Sequence, residues 1–177
     1  MAEALAALSL GGNVGDVAAS FAHALRRLDE ACGVKVEARS SVWRTKAWGK
    51  EDQPDFRNMC ALVRTSLPPR ALLDLCLAIE TERGRVRAER WGPRTLDIDV
   101  LTYGDETIDE PGLTIPHPRL TDRAFVLAPL AEIAGNMRVG GATITEWRAR
   151  VGDAGVATER VVDAAQQLRP RLRGERA

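Results

Sequence analysis

The segment 94–99, Arg-Thr-Leu-Asp-Ile-Asp, carries side chains suited to metal and phosphate chemistry. Apolar and polar residues alternate from Thr95 to Tyr103, which predicts a strand with Asp97 and Asp99 on one face. The other face is apolar and carries Leu96, Ile98 and Val100. Two carboxylates roughly 6 to 7 Å apart repel each other unless a cation lies beside them, and their oxygens suit magnesium. The spacing predicts a divalent metal site, although an isolated Asp-x-Asp is more often a solvated face paired with arginines.

The segment that precedes the aspartates is strongly basic. Five arginines and one acid, Glu89, lie between positions 83 and 94, whereas the 25 basic and 25 acidic residues of the whole chain cancel. The planar guanidinium matches phosphate oxygens, so a basic loop leading into two carboxylates predicts a polyphosphate site. The arginines alone fit a solvated loop or a weak nucleic-acid contact equally well. The acidic neighbours disfavour nucleic acid.

Two further segments hold candidate ligand contacts. His117 lies between Pro116 and Pro118, just before a predicted helix that carries Arg123, and the pair extends the anion site. The Gly11–Asp16 turn resembles a phosphate-binding turn before a helix. Because it lacks the lysine of a P-loop and the Gly-x-Gly-x-x-Gly spacing, ligand contact is the less favoured interpretation there.

Aromatic residues in a long irregular segment are candidates for contact with a planar ligand. Residues 44–57 show no periodicity, contain Gly49 and Pro54, and carry Trp48 and Phe56 among charges. Segments longer than about 12 residues without regular structure are usually functional or disordered. Core packing is the usual fate of aromatics such as these and Phe125, but their loop positions leave a planar ligand open.

Periodicity and turn residues predict the elements that position these side chains. Strands are predicted at 4–10, from 34 toward Trp43, at 58–63 and at 95–103; helices between Asp16 and Gly33, between Pro68 and Gly84, and from Thr121 or Asp122 to Gly135; and a hairpin at 137–143. This order predicts an α+β chain with a split βαβ, ferredoxin-like sheet and helices packed on it.

Length and composition limit the possible classes of protein. The 177 residues fit one domain, predicted at 1–150, with an extension at 151–177 whose last ten residues form a mobile tail. Zero net charge gives no general attraction to nucleic acid or membranes. Cys32, Cys60 and Cys76 lack CxxC spacing, and we expect them to be buried and reduced. The N-terminus lacks a signal-peptide pattern and no apolar run is long enough for a membrane span, which predicts a cytoplasmic protein.

Three blocks of sequence together carry a family resemblance. They are Arg-Trp-Gly-Pro-Arg-Thr-Leu-Asp-Ile-Asp at 90–99, Asp-Gln-Pro-Asp-Phe-Arg-Asn at 52–58 and Ile-Pro-His-Pro at 115–118. Over residues 4–150 the chain resembles the 6-hydroxymethyl-7,8-dihydropterin pyrophosphokinases of folate biosynthesis. The resemblance implies a three-layer αβα sandwich of ferredoxin-like topology with a mainly antiparallel central sheet. It also implies transfer of pyrophosphate from ATP to the pterin hydroxymethyl, giving AMP and the pterin diphosphate.

The resemblance further implies a role for each matching residue. Asp97 and Asp99 are expected to hold two Mg²⁺ ions and to act in catalysis with Arg85 and Arg94, and ATP is the co-substrate. The residues implied to bind ATP and its phosphates are Glu80, Arg85, Arg87, Arg90, Trp91, Arg94, Ile98, His117 and Arg123. Those implied to bind the pterin are Thr45, Trp48, Phe56, Asn58, Asp97 and Phe125. We expect a monomer with no nucleic-acid or membrane partner.

Two other functions stay open at this point. Ferredoxin-like sheets also bind RNA, but such modules carry aromatic residues on the central strands, where this chain has Asp97 and Asp99. A relative that keeps the fold without turnover is the second alternative. Every motif residue named above is present, which favours an active enzyme.

Overall fold

The computed structural model describes residues 3–46, 54–84 and 93–152 and the backbone of 159–161. In chain order the strands are β1 (Ala4–Gly12), β2 (Val34–Arg39), β3 (Val42–Thr45), β4 (Phe56–Thr65), β5 (Asp97–Tyr103), β6 (Ile108–Glu110), β7 (Leu113–Ile115), β8 (Arg138–Val139), β9 (Ala142–Thr143) and β10 (Glu159–Val161). The α-helices are α1 (Val17–Glu30), α2 (Pro69–Glu82), α3 (Ala124–Ala134) and α4 (Ile144–Val151).

One six-stranded sheet forms the middle of the molecule. Its strand order is β10-β3-β4-β1-β5, with β2 also paired to β4, and all of these pairings are antiparallel. Two small hairpins, β6-β7 and β8-β9, lie outside this sheet. The long strands β1 and β4 occupy the centre and contact neighbours on both sides, so they fix the positions of the residues that the flanking strands β5 and β3 contribute.

Each face of the sheet is covered by a different pair of helices. The alternating residues Ala6, Leu8 and Leu10 of β1 belong to a buried cluster with apolar side chains of α1 and α2. The residues between them point the other way, and Ala7 joins a second buried cluster with side chains of α3 and α4. A strand buried on both faces requires a helix layer on each side. The fold is therefore the three-layer αβα sandwich of α+β, ferredoxin-like type that the sequence predicts.

The first two predicted helices are confirmed, as are the predicted start of α1 at Asp16 and both ends of α2, but α1 ends at Glu30, before the predicted stop at Gly33. The Asp16 carboxylate accepts a hydrogen bond from the Ala19 backbone N–H (2.9 Å), which satisfies a free donor at the start of α1. Pro69 begins α2, where its fixed φ suits the first turn and its missing N–H costs nothing. Gly84 follows that helix with a φ of +72°, a conformation that favours glycine.

The predicted start of the third helix is wrong. Residues Leu120–Asp122 form a short 3-10 turn, and α3 begins only at Ala124, so neither Thr121 nor Asp122 is its N-cap. Leu120 is fully buried in the second apolar cluster. Because that side chain must reach the core, the chain tightens at 120–122 before the α-helix starts.

The strands around the predicted 44–57 loop extend further than expected. Strand β3 continues through Thr45, and β4 already begins at Phe56 rather than at Asn58. The extended stretch from Val34 is interrupted after Arg39, where the Ser40 hydroxyl accepts the Cys60 N–H (2.9 Å). Both differences come from pairing with β4, which the local sequence pattern does not contain.

Three shorter elements lie outside the predicted set: the β6-β7 hairpin, α4, and β10, which pairs with β3. Strand β10 belongs to the predicted 151–177 extension. Cys60 and Cys76 are buried as expected, but the prediction for Cys32 is wrong because α1 ends at Glu30 and Cys32 lies in the exposed turn that follows. In the described ranges no helix is long and apolar enough to cross a membrane.

Candidate active site

The candidate site is built on a row of residues that crosses the central strands. Gly11 of β1 pairs with Asn58 of β4 on one side and with Asp97 of β5 on the other. Paired residues project from the same face, and neighbouring strands lie about 4.8 Å apart, so Asn58 and Asp97 flank a glycine across roughly 10 Å. A Cβ at Gly11 would lie 3.2 Å from Asn58 Oδ1. The missing side chain leaves a strip of bare backbone between an amide and a carboxylate.

A second row, two residues further along the strands, marks the start of α3. Ser9 pairs with Cys60 and with Asp99, and the Cys60 thiol donates to the Val126 carbonyl in the first turn of the helix (3.6 Å). Helix α3 therefore begins beside this row and covers the sheet from there. Arg123, the residue directly before the helix, reaches Asp99 with its side chain.

Two arginines and a histidine converge on the two aspartates. The Arg94 guanidinium forms an ion pair with the Asp97 carboxylate. Arg123 Nη1 lies 3.6 Å from Asp99 Oδ2, and His117 Nε2 lies 3.9 Å from the same oxygen. Arg94 lies just before β5, which carries both aspartates. His117 follows β7, and Arg123 directly precedes α3. The fold thus assembles the charges that the sequence predicts will meet.

The surroundings of this cluster shift the pKa values of its members. Burial raises the pKa of the Asp99 carboxyl, and the Asp97 carboxylate adds to the shift, against the opposing effects of His117, Arg123 and Arg94. Burial also lowers the pKa of the His117 imidazole and of the Arg123 guanidinium, in both cases against the attraction of Asp99. Each group is held where its charged form is disfavoured. A bound cation beside Asp99, or an anion beside Arg123, would relieve that cost.

The acidic pair fits a divalent ion that takes most of its ligands from elsewhere. Side chains of Asp97 and Asp99 are 19% and 36% exposed and lie on one face of β5. Among the described residues no group of three or more His, Cys, Asp or Glu side chains is arranged to hold a metal. Magnesium in nucleotide enzymes is commonly held by one or two carboxylates plus phosphate oxygens and water. A pair of carboxylates with Arg94 and Arg123 beside it is compatible with that arrangement.

The predicted contacts for a planar ligand are polar and aromatic. Asn58 and Thr45 are only 4% and 5% exposed, and the Asn58 amide donates to the Thr45 hydroxyl (3.1 Å). Phe56 and Phe125 are partly buried, and the Arg123 guanidinium lies 5.5 Å from the centre of the Phe125 ring. This combination suits a flat heteroaromatic molecule, since an amide can read a ring edge and aromatic rings can cover its faces.

Two predicted nucleotide contacts lie in the interior. Glu80 and Ile98 are 3% and 2% exposed, and Glu80 Oε1 accepts the Ile98 backbone N–H at 2.7 Å. This bond fixes β5 between the two aspartates. Their roles in ATP binding stay predictions. Five predicted ligand contacts lie outside the described residues: Trp48, Arg85, Arg87, Arg90 and Trp91.

Two features of the site were not found from the sequence. Gly11 was interpreted only as a turn glycine, and Asn13 only as part of a weak phosphate-turn match. The signal was present in Gly11-Gly12-Asn13 at the end of a buried strand. Its meaning depends on what lies opposite, namely Asn58 and Arg94, which are distant in the chain.

Comparison with known proteins places this geometry in context. A family model described as 7,8-dihydro-6-hydroxymethylpterin-pyrophosphokinase matches residues 7–135. A Methylorubrum extorquens protein named 2-amino-4-hydroxy-6-hydroxymethyldihydropteridine pyrophosphokinase is 46% identical over 149 residues, covering 84% of this chain and 94% of that protein. A Synechocystis protein of the same name is 49% identical over 129 residues, covering 73% of this chain and 66% of that protein.

Solved structures support the fold independently. An HPPK-DHPS crystal structure in complex with substrates is similar with a TM-score of 0.65 at 14% identity, over 86% of this chain. A Plasmodium falciparum HPPK-DHPS A437G structure with STZ-DHP gives a TM-score of 0.67 at 16% identity, over 84% of this chain. The chain spans less than half the length of these two proteins, 44% and 45%.

Proposed function

The chain belongs to the 7,8-dihydro-6-hydroxymethylpterin-pyrophosphokinase family, and we propose that it transfers the pyrophosphoryl group of ATP to the hydroxyl of 6-hydroxymethyl-7,8-dihydropterin in folate biosynthesis. The products are AMP and the pterin diphosphate. Within the site, the pair of Asp97 and Asp99 is the main observation that supports this proposal. It lies on the sheet face near the start of α3, with Arg94, Arg123 and His117 beside it.

The reaction needs positioning and charge neutralisation rather than a covalent intermediate. The substrate hydroxyl oxygen bonds to the β-phosphorus, the bond from that phosphorus to the oxygen bridging toward the α-phosphorus breaks, and AMP leaves with the bridging oxygen. The hydroxyl proton passes to solvent. Arg94 and Arg123 would bind phosphate oxygens, since a guanidinium offers them paired N–H donors. His117 would donate to the same group of oxygens.

Two magnesium ions would be held by Asp97 and Asp99. When bound, they would neutralise phosphate charge and orient the triphosphate for in-line attack. The grouping of Arg94, Arg123 and His117 around the aspartates supports this proposal, because side chains that can bind phosphate then lie beside carboxylates that can bind the ions. The number of ions and their identity follow from the family resemblance.

The pterin would occupy the strip between Asn58 and Asp97. Asn58 offers an amide to the ring edge, and its own bond to the Thr45 hydroxyl fixes its orientation. Phe56 and Phe125 would cover the ring faces. The bare backbone at Gly11 gives a flat ring room to approach the sheet. Trp48 is proposed to contribute from outside the described residues.

The remaining expectations stand as proposals of the same kind. Arg85 would act with Arg94 in catalysis, and Arg87, Arg90 and Trp91 would contact the nucleotide. Glu80 and Ile98 would contribute to nucleotide binding from the protein interior. A monomer in the cytoplasm, without nucleic-acid or membrane partners, stays a prediction. A ferredoxin-like module that binds RNA without turnover is not favoured, because aspartates occupy the strand positions where such modules carry aromatics.

An AMP assay with matched variants tests the assignment. Purified protein with ATP, Mg²⁺ and 6-hydroxymethyl-7,8-dihydropterin is expected to form AMP, and Asp97→Ala and Asp99→Ala are each expected to lower kcat by about 10³-fold or more. Asp105→Ala is the control, since Asp105 is exposed in the turn after β5. Equal AMP formation by all four proteins would sink the assignment of the aspartates.

A further inference from the structure

The turn that follows β1 is bound to the backbone of Arg94 rather than left free for a ligand. The Asn13 N–H donates to the Arg94 carbonyl at 2.9 Å, and the Val14 N–H donates to the same oxygen at 3.2 Å. A phosphate-binding turn works by directing such N–H groups at the anion. Here two of them already have a protein acceptor. The resemblance of residues 11–16 to a phosphate turn therefore has another explanation.

Gly12 allows this close approach of two backbone segments. A Cβ at Gly12 would lie 2.8 Å from the Thr95 carbonyl oxygen and 3.4 Å from that of Arg94. Contacts below 3.0 Å with backbone cannot be relieved by a side-chain rotation, so glycine is required for the two segments to touch. The turn and the segment entering β5 are in this way packed directly on each other.

The Asn13 side chain completes the contact from the opposite direction. Its Oδ1 accepts the Arg94 backbone N–H at 2.9 Å, and its Nδ2 donates to the Pro54 carbonyl at 3.2 Å. Asn13 is 5% exposed. An amide is suited to this position because it accepts at one atom and donates at the other. The donation to Pro54 fixes the orientation of the amide and keeps Oδ1 directed at Arg94.

Both peptide groups of Arg94 are thereby held by one residue. Its N–H and its carbonyl each bond to Asn13, so the backbone from which the guanidinium projects has a fixed place three residues before Asp97. The guanidinium forms its ion pair with that aspartate. A long, flexible arginine side chain is positioned accurately only when its backbone is fixed. A displacement of about 1 Å in an enzyme site can lower the rate by about 10²-fold.

We propose that Asn13 is a positioning residue that acts through Arg94: it places the guanidinium for the phosphates without contacting the nucleotide itself. The inference rests on the proposed function for the identity of the ligand. It gives the glycine-asparagine turn a role that neither the family resemblance nor the comparisons assign.

A double-mutant cycle tests this dependence. Asn13→Ala is introduced into the unsubstituted chain and into Arg94→Ala, and the Kd of α,β-methylene-ATP with Mg²⁺ and the kcat for AMP formation are measured. In the unsubstituted chain we expect about a tenfold rise in Kd and a fall in kcat of about tenfold or more. In the Arg94→Ala background we expect less than about a twofold change, because residues that act as a unit are not additive. Equal effects in both backgrounds would overturn the proposal, as would unchanged binding and kcat in Asn13→Ala alone.

Controls separate this role from general structural damage. Asn136→Ala removes an exposed asparagine amide after α3 and is expected to leave Kd and kcat unchanged. If Asn13→Ala is insoluble, Asn13→Ser replaces it in the same cycle, since its side chain is too short to reach both partners. An unsubstituted protein that forms no AMP would contradict the proposed function. The cycle measured by analogue binding would still test the coupling of Asn13 to Arg94.

Discussion

The orientation of the Asn58 side chain is fixed by its neighbours. Its amide is almost fully buried and bonded to the Thr45 hydroxyl, and it lies across bare glycine backbone from Asp97. A buried amide held by a second side chain cannot rotate freely to suit different ligands. We therefore expect this residue to select the pterin by its ring edge rather than to bind the nucleotide.

Replacing Asn58 by alanine is predicted to affect the two substrates differently. Loss of a hydrogen bond to a buried ring edge costs about 1 to 3 kcal/mol, which corresponds to a fall in kcat/KM for the pterin of about 5- to 150-fold. The KM for ATP should change by less than about twofold. Steady-state kinetics with each substrate varied in turn check this, with Asn136→Ala as the control. A larger effect on ATP than on the pterin would contradict the role given to Asn58.

At the scale of elements, β5 depends on α2 for its position. Among the described strands it lies at the edge of the main sheet, where one row of its backbone groups pairs with no other described strand. Glu80 of α2 provides an acceptor for the Ile98 N–H there, between the two aspartates. At Ile98, between the two aspartates, the helix thus supplies the acceptor that a neighbouring strand would otherwise provide.

Substitution of Glu80 is predicted to weaken the fold and the site together. Glu80→Ala leaves the buried Ile98 N–H without this acceptor and should lower the free energy of unfolding by about 1 to 3 kcal/mol. Glu80→Gln, which retains an acceptor oxygen, should lose less. Urea unfolding of the three proteins measures the difference, and an Ala variant as stable as the unsubstituted protein would exclude the role.

Helices α1 and α2 are joined by a charged contact whose pH dependence can be predicted. Glu82 accepts hydrogen bonds from Arg27 and His23, and these hold the pKa of its carboxyl at about 2, below the ordinary 4.5. A carboxyl whose pKa is lower in the folded state stabilises that state above about pH 4.5 and loses this contribution as the pH falls toward 2.

The corresponding test compares unfolding midpoints across that pH window. Between pH 4.5 and 2, Glu82→Gln should show a smaller loss of stability on acidification than the unsubstituted protein. Above pH 5 it should be the less stable of the two. Glu106→Gln, which changes an exposed carboxyl in the turn after β5, is the control. If the stability of Glu82→Gln and of the unsubstituted protein fell equally with pH, the contact would not contribute to the pH dependence of stability.

Sequence periodicity predicted features that depend on neighbouring residues in the chain. It failed for features that depend on contacts between distant segments. Alternation along β5 was enough to place Asp97 and Asp99 opposite a buried apolar face, because the period of a strand is set by its own backbone. The Asn58–Gly11–Asp97 row was not predictable in this way, since it follows from the register of three strands. The start of α3 was misplaced for a similar reason: Leu120 enters a core formed by other elements.

For the whole molecule, the position of the site follows from where the helix layers end. Helices α1 and α2 cover one face of the sheet, and α3 begins beside Asp99 on the other. The acidic pair, the Gly11 strip and the cations therefore meet at the end of the face that α3 does not cover. Solved relatives at 14% to 16% identity share this fold, and the relatives at 46% and 49% identity carry the pyrophosphokinase name.

The identity of the transferred group is the most direct test of the account. ³¹P NMR of a reaction containing ATP, Mg²⁺ and 6-hydroxymethyl-7,8-dihydropterin should show AMP and a pterin diphosphate appearing in equal amounts as ATP disappears. That result requires attack at the β-phosphorus, as proposed for the Asp97 and Asp99 site. ADP with a pterin monophosphate would indicate attack at the γ-phosphorus, and inorganic phosphate without a pterin product would indicate hydrolysis; either result would contradict the central claim.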